Sequence, residues 1–289
     1  MQIVTDSGTD LGLSPEQLDD LGIHVVPLVV TLEGRSYREG LDIQPDAFYG
    51  LLEATDELPL TSQPSAGDFA DAYQRIAAKD RDILSIHMSS GLSGTHETAQ
   101  AGANLVPEVN VRHVDTKTLS VASGWPVEAA ARAARAGWAK EKILELIEAI
   151  GAATESLYTL KDLTYLIHGG RISHMKGLIA SLLRIKPLIG VEKVNGTYVQ
   201  LAQARTFGKA IQRLAEHVTS EHAPGSPLRT QVVHASNPGG AAALREQVDR
   251  LFDCSWLPTK TISLVLGAHT GPSMVGLAYA PAAAFATLP

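Results

Sequence analysis

One seven-residue stretch, Ser89-Ser90-Gly91-Leu92-Ser93-Gly94-Thr95, constrains this chain more than any other. It follows the apolar run Ile83-Leu84-Ser85-Ile86, which reads as a buried strand. It precedes His96-Glu97-Thr98-Ala99-Gln100-Ala101, which reads as the first turns of a helix. A helix start leaves backbone N–H groups unpaired and carries a partial positive charge, so small hydroxyl residues placed there frame an anion site. The glycines permit close backbone approach, and the hydroxyls of Ser93 and Thr95 can donate to a carboxylate or phosphate. The same residues also make an ordinary helix cap. The stretch alone leaves both readings open.

Its surroundings set the fold class. Strand material at 3–5, 23–32, 83–86 and 111–116 alternates with helical patterns at 15–21, 46–52, 68–78, 127–135 and 140–150. Residues 60–65 read as a polar, proline-punctuated loop. Alternation of this kind predicts a parallel sheet with helices on both faces. The loops at 6–9, 89–95 and 115–120 all follow strands and should gather at the strands' carboxyl ends, where such sheets bind ligands. The pattern changes near Gly151-Ala152-Ala153. Beyond it come strands at 157–160, 188–192, 198–201, 231–234 and 264–266, helices at 177–184, 207–217 and 241–252, and Asn195-Gly196 as a hairpin signal. We therefore expect an α/β chain of two domains. Residues 1–155 form a parallel α/β domain, and residues 156–289 an α+β domain with a mixed sheet.

Composition removes several classes of function. The formal charge is −7 with no compensating basic cluster, and aromatic residues make up 5%, so nucleic acid and anionic membrane surfaces are poor partners. Cys254 is the one cysteine, which excludes an intrachain disulfide and a cysteine-based zinc site. The opening residues enter a strand at once, without the pattern of a signal peptide, and no apolar run reaches the length of a membrane span. A soluble cytoplasmic protein is the expectation. There is no Gly-x-x-x-x-Gly-Lys-Ser/Thr and no Gly-x-Gly-x-x-Gly, so nucleotide sites of the usual kinds have no support.

Three further features bear on chemistry. Gly91-Leu92-Ser93-Gly94-Thr95 resembles a nucleophile elbow but has Thr95 in place of the last glycine. His269 lies in Gly267-Ala268-His269-Thr270-Gly271-Pro272, read as a loop after a buried strand. Arg171 follows two glycines and Arg205 lies between a strand and a helix; each is either an anion fork or a solvated side chain. The ten histidines show no His-Glu-x-x-His, and no metal site is expected. The apolar segment 178–185 is either core or one wall of a long apolar pocket.

Taken in order, Val4-Thr5-Asp6-Ser7, Leu60-Thr61-Ser62-Gln63-Pro64-Ser65, residues 89–95, His168-Gly169-Gly170-Arg171-Ile172, Lys186-Pro187-Leu188 and residues 267–272 resemble the DegV family of bacterial fatty-acid-binding proteins. The resemblance spans essentially the whole chain. It implies a two-domain DegV-like fold that holds one long-chain fatty acid between its domains, with no cofactor and no metal. The family's carboxylate-gripping hydroxyls match Thr61 and Ser93, with a histidine matching His269 nearby; Ser62, Gly94 and Thr95 complete the expected ligand site. Basic residues matching Arg171 and Arg205 belong to the head group or to docking of a partner. That partner is a fatty acid kinase, which phosphorylates the bound acid to an acyl phosphate for phospholipid synthesis. His96, His168 and Ser273 depart from the residues common in the family, which bears on the fine shape of the head-group site. Two rivals remain: a serine-dependent acyl hydrolase with Ser93 as nucleophile and His269 as base, and a small-anion sensor without a tail pocket.

Overall fold

A computed structural model describes residues 1–175 and 185–289. The helix expected over 177–184 lies outside the described residues. In chain order the first half contains β1 (Gln2–Asp6), α1 (Pro15–Asp20), β2 (Ile23–Val26), β3 (Val29–Leu32), β4 (Arg35–Arg38), α2 (Pro45–Ala54), β5 (Leu60–Ser62), α3 (Ala66–Ala77), β6 (Asp82–His87), α4 (Thr95–Asn104), β7 (Asn110–Asp115), α5 (Ser120–Arg135) and α6 (Lys140–Ala153). The second half contains β8 (Glu155–Thr159), α7 (Thr164–His168), β9 (Lys186–Val191), β10 (Tyr198–Ala204), α8 (Phe207–Val218), β11 (Pro227–His234), α9 (Pro238–Asp249), β12 (Asp253–Trp256), β13 (Lys260–Thr261), α10 (Leu264–Thr270) and β14 (Val275–Pro281).

The expected parallel sheet is present, in the order β2-β1-β6-β7. Its strands obey the period of two. Ile3 joins a core shared with α5, whereas its neighbour Val4 packs with Phe69 and Tyr73 of α3 on the opposite face. Because all four strands run the same way, the loops after β1, β6 and β7 do meet at one edge. The backbone N–H of Ser89 donates to Thr118 O, that of Thr116 to His87 O, and that of Met88 to the Asp6 carboxylate.

The second sheet is mixed, in the order β10-β9-β8-β14-β11-β12, with β13 beside β11. One face carries α8 and α9 on Leu157, Leu188, Val232 and Leu277. The alternate residues Tyr158, Ile189, Val233 and Ala278 point the other way, into a core that also holds Leu119, Val121 and Ala122 from the first half. The largest apolar core therefore lies between the two sheets.

Several elements differ from the sequence reading. Residues 60–62 are not loop: β5 pairs antiparallel with β3, Thr61 opposite Val30, in a small β4-β3-β5 sheet. Helix α5 starts at Ser120 rather than 127 and runs through Pro126, which sits in a wholly buried segment where packing overrides its missing N–H. Residues 264–266 are not a strand. They open α10, whose N-cap Ser263 accepts from Leu266 N–H and whose end is Gly271 at φ 72. A short run of Leu and Val buried on all sides has no readable period. His269 thus occupies the last turn of a helix. The central strand β14 had no counterpart in the sequence reading.

Candidate functional site

The quoted stretches converge. Thr61, Ser62, Gln63, Leu92, Ser93, Arg171 and His269 line one cavity of about 20 Å³, with Tyr198 and Leu266 on its inner wall. Thr61 enters because β5 alternates: Leu60 and Ser62 are exposed while Thr61 turns inward. Its Oγ1 lies 2.9 Å from His269 Nε2. Ser93 sits just before α4, where its Oγ lies 2.8 Å from Thr95 Oγ1 and accepts from the Thr95 N–H. Thr95 is fully buried and borders no part of the cavity; it orients Ser93. Gly94 meets the side chain of Gln63, 2.6 Å from where a Cβ would stand. Arg171 donates through Nε to Leu92 O at 3.3 Å, which ties the turn after α7 to the 89–95 loop. Arg205 is exposed before α8 and borders no part of this cavity.

Two glycine pairs explain the close assembly. A Cβ on Gly169 would stand 2.0 Å from His269 Nδ1, so the imidazole occupies the space a side chain would take. Gly170, at φ 76, then turns the chain so that Arg171 faces the cavity. A Cβ on Gly91 would stand 2.2 Å from Asn195 O, and one on Gly196 1.9 Å from Ser89 Oγ, while Ser89 Oγ donates to Gly196 O. The 89–95 loop is thereby seated on the β9–β10 hairpin. Gly91→Ala should push these two backbones apart and cost about 1–3 kcal/mol. Urea unfolding of the variant reads this directly; an unchanged midpoint contradicts the contact.

His269 is held neutral. Burial, reinforced by the charges of Arg171 and His168, pushes its pKa down to about 3. In the neutral tautomer that carries its proton on Nε2, the imidazole donates to Thr61 and leaves the threonine's own proton free for an anion in the cavity; among the described residues Nδ1 has no partner. A folded value below the ordinary 6.5 means stability is lost as pH falls from about 6.5 toward 3, because the unfolded chain takes the proton first.

The other end of α10 is anchored by a carboxyl. Glu39 accepts from Ser7 Oγ at 2.7 Å and from the Leu264 N–H. Burial, with Asp10 and Asp6 nearby, pushes its pKa up to about 8, against the two donors. Asp10, bonded by Ser120 Oγ, is likewise pushed up by burial to about 7, with Lys260 opposing. For such groups the stabilising contribution is complete below the ordinary value and is lost as pH rises through the folded one. Wild-type stability should fall between pH 4.5 and 8 more steeply than that of Glu39→Gln, by up to about 1.4 kcal/mol per pH unit for one proton. Equal slopes in urea midpoints contradict this.

A second constellation has the form of a hydrolase triad. Asp6 Oδ2 lies 2.9 Å from His87 Nδ1, and His87 Nε2 lies 2.7 Å from Ser85 Oγ. All three residues are fully buried, and Ser85 Oγ is already paired with Tyr73 OH at 2.8 Å. A nucleophile must reach a substrate. This one is structural, fastening β1 to β6. Among the described residues no group of three His, Cys, Asp or Glu could hold a metal ion, and no helix is long and apolar enough to cross a membrane.

With this geometry in hand, comparison places the chain. The family described as "Uncharacterised protein, DegV family" matches residues 1–282. The chain belongs to the DegV family. A DegV domain-containing protein of Streptomyces coelicolor is 36% identical over 277 residues, covering 95% of this chain and 96% of its own. A fatty-acid-binding DegV family protein from Thermus thermophilus superposes with a TM-score of 0.86 at 28% identity, covering 97% of this chain and 99% of the other. DegV from Bacillus subtilis, a fatty acid binding protein, gives 0.84 at 29% identity over 96% and 98%. DegV structures thus bind fatty acids, and the two-domain α/β architecture is that of the family.

Sequence reasoning missed Tyr198, Leu266 and the role of Gln63. Tyr198 opens a strand right after the Asn195-Gly196 turn; a hairpin seated on the 89–95 loop brings its first residue to the site.

Proposed function

We propose that this protein is a cytoplasmic carrier of one long-chain fatty acid, without catalysis of its own. The carboxylate is held by Thr61 and Ser93, with His269 orienting Thr61 and Arg171 adding charge. The ligand lies between the domains 1–155 and 156–289. The observation that carries this reading is the meeting, at one small cavity, of hydroxyls, a neutral imidazole and an arginine from four separate stretches of chain. A buried carboxylate without partners is strongly disfavoured, and this donor set offsets that cost.

The tail runs past Tyr198 and Leu266 into a second cavity of about 30 Å³, which shares those two side chains with the first. Each space is about one water in volume. An acyl chain enters only as the side chains between them turn aside. Burying about fifteen methylenes yields on the order of 12 kcal/mol before association costs, so the tail supplies most of the affinity.

We infer further that the bound acid is presented to a fatty acid kinase, with Arg205 on the surface available for contact, and that the acyl phosphate feeds phospholipid synthesis. The hydrolase reading has less support, since Ser93 Oγ pairs with Thr95 and His269 Nε2 with Thr61, leaving no nucleophile–base hydrogen bond. Denaturing extraction of the purified protein followed by mass spectrometry should release a long-chain fatty acid. Repeated recovery of a nucleotide, a sterol or no lipid overturns the carrier, and labelling of Ser93 by a serine-directed phosphonate favours the hydrolase.

A further inference from the structure

The second cavity is not uniformly apolar. Val121, Ala122, Val233 and Ala278 supply aliphatic walls, yet Ser120, Ser156, Thr270, Tyr158 and Tyr198 also border it. Three of these five hydroxyls are engaged elsewhere. Ser120 Oγ donates to Asp10, Ser156 Oγ lies 3.3 Å from Thr118 Oγ1, and Thr270 Oγ1 donates to Leu266 O at 3.0 Å. The hydroxyl of Tyr158 is buried and, among the described residues, has no hydrogen-bond partner of good geometry. Its ring meets that of Tyr198 edge to face, centroids 5.6 Å apart, and the two phenol hydroxyls lie close enough to perturb one another. Burial holds the Tyr158 proton in place, far above the ordinary phenol range, so the group is a permanent donor as well as an acceptor.

A plain hydrocarbon tail leaves that hydroxyl unsatisfied, and among the described residues a polar group on the tail would meet only the adjoining phenols of Tyr158 and Tyr198 as uncommitted partners in this cavity. The two deficits cancel if they meet. We propose that Tyr158 recognises a hydroxyl carried on the acyl chain, so that the preferred ligands are hydroxylated long-chain fatty acids with the oxygen remote from the carboxylate. The proposal rests on the fatty-acid reading above and refines its ligand class. Position along the chain is set by Tyr198, which borders both cavities and stands between the carboxylate donors and Tyr158. Sites built to hydrogen-bond a ligand hydroxyl discriminate far more sharply than apolar pockets that merely tolerate one.

The test is displacement of a fluorescent fatty acid by stearic acid and by a series of monohydroxystearic acids with the hydroxyl at successive carbons. One isomer, or two adjacent ones, should bind about tenfold more tightly than stearate, or about 1.4 kcal/mol. The remaining isomers should bind more weakly than stearate. In Tyr158→Phe, which keeps the ring, the ratio for the favoured isomer should collapse to about one. A series in which every isomer is weaker than stearate overturns the proposal, as does a preference that survives in Tyr158→Phe. If neither stearate nor any isomer displaces the probe, the fatty-acid reading itself falls.

Discussion

Replacing Thr61 by valine and Ser93 by alanine together is expected to weaken long-chain fatty acid binding at least about a hundredfold. Hydrogen bonds to a charged group are worth about 1.5–3 kcal/mol each, and about 1.4 kcal/mol is tenfold in affinity. Both side chains border the same cavity, so their losses need not add simply. Each single substitution should cost about tenfold. Thr61→Val also strands His269 Nε2, whose one partner among the described residues is the threonine hydroxyl, and should therefore be the more damaging of the two. Tail contacts are untouched, so the dependence of affinity on chain length should persist in the double variant at a uniformly lower level. Competition titrations against a fluorescent acid measure both quantities. A double variant within threefold of wild type would remove Thr61 and Ser93 from the site.

Asp6→Ala should be the most destabilising single change in the first half, by about 3–5 kcal/mol. The carboxylate accepts from His87 Nδ1 at 2.9 Å, from the Met88 N–H at 3.1 Å and from the Gly8 N–H at 3.0 Å. All of this lies out of water, and no other acceptor replaces it. Each orphaned donor carries its own desolvation cost. The effect reaches the candidate site because Met88 borders the same cavity as Thr61 and Ser93 and leads into the 89–95 loop. Asp6→Asn, which keeps one acceptor oxygen, should lose less. Equilibrium urea unfolding decides: a loss for Asp6→Ala below about 1 kcal/mol would show that the buried network contributes little.

Legibility in the sequence followed the physics of each segment. The parallel sheet was readable because β1 and β6 are short apolar runs, and two of the helices between them, α1 and α3, open on capping boxes at Ser14 and Ser65. The meeting of Thr61, Ser93 and His269 was not readable from spacing; it came from the family resemblance. The reason is topological. Thr61 and His269 are 208 positions apart and meet only because α10 crosses back onto the β4-β3-β5 sheet. The error at 264–266 has a local cause: seven buried residues show no face, although Ser263 and Gly271 marked the helix ends. Strand β14 escaped notice because Gly276, Ala278 and Ala280 dilute its pattern, while its central place between β8 and β11 buries both faces.

The claim on which the rest depends is that the space behind Thr61, Ser93 and His269 opens to take a hydrocarbon tail. Affinity measured across a series of unbranched saturated acids tests it most directly. Each added methylene should tighten binding by about 0.8 kcal/mol, close to fourfold, until the channel is full. An affinity that is the same for short and long acids would contradict it and leave a site that holds only the carboxylate.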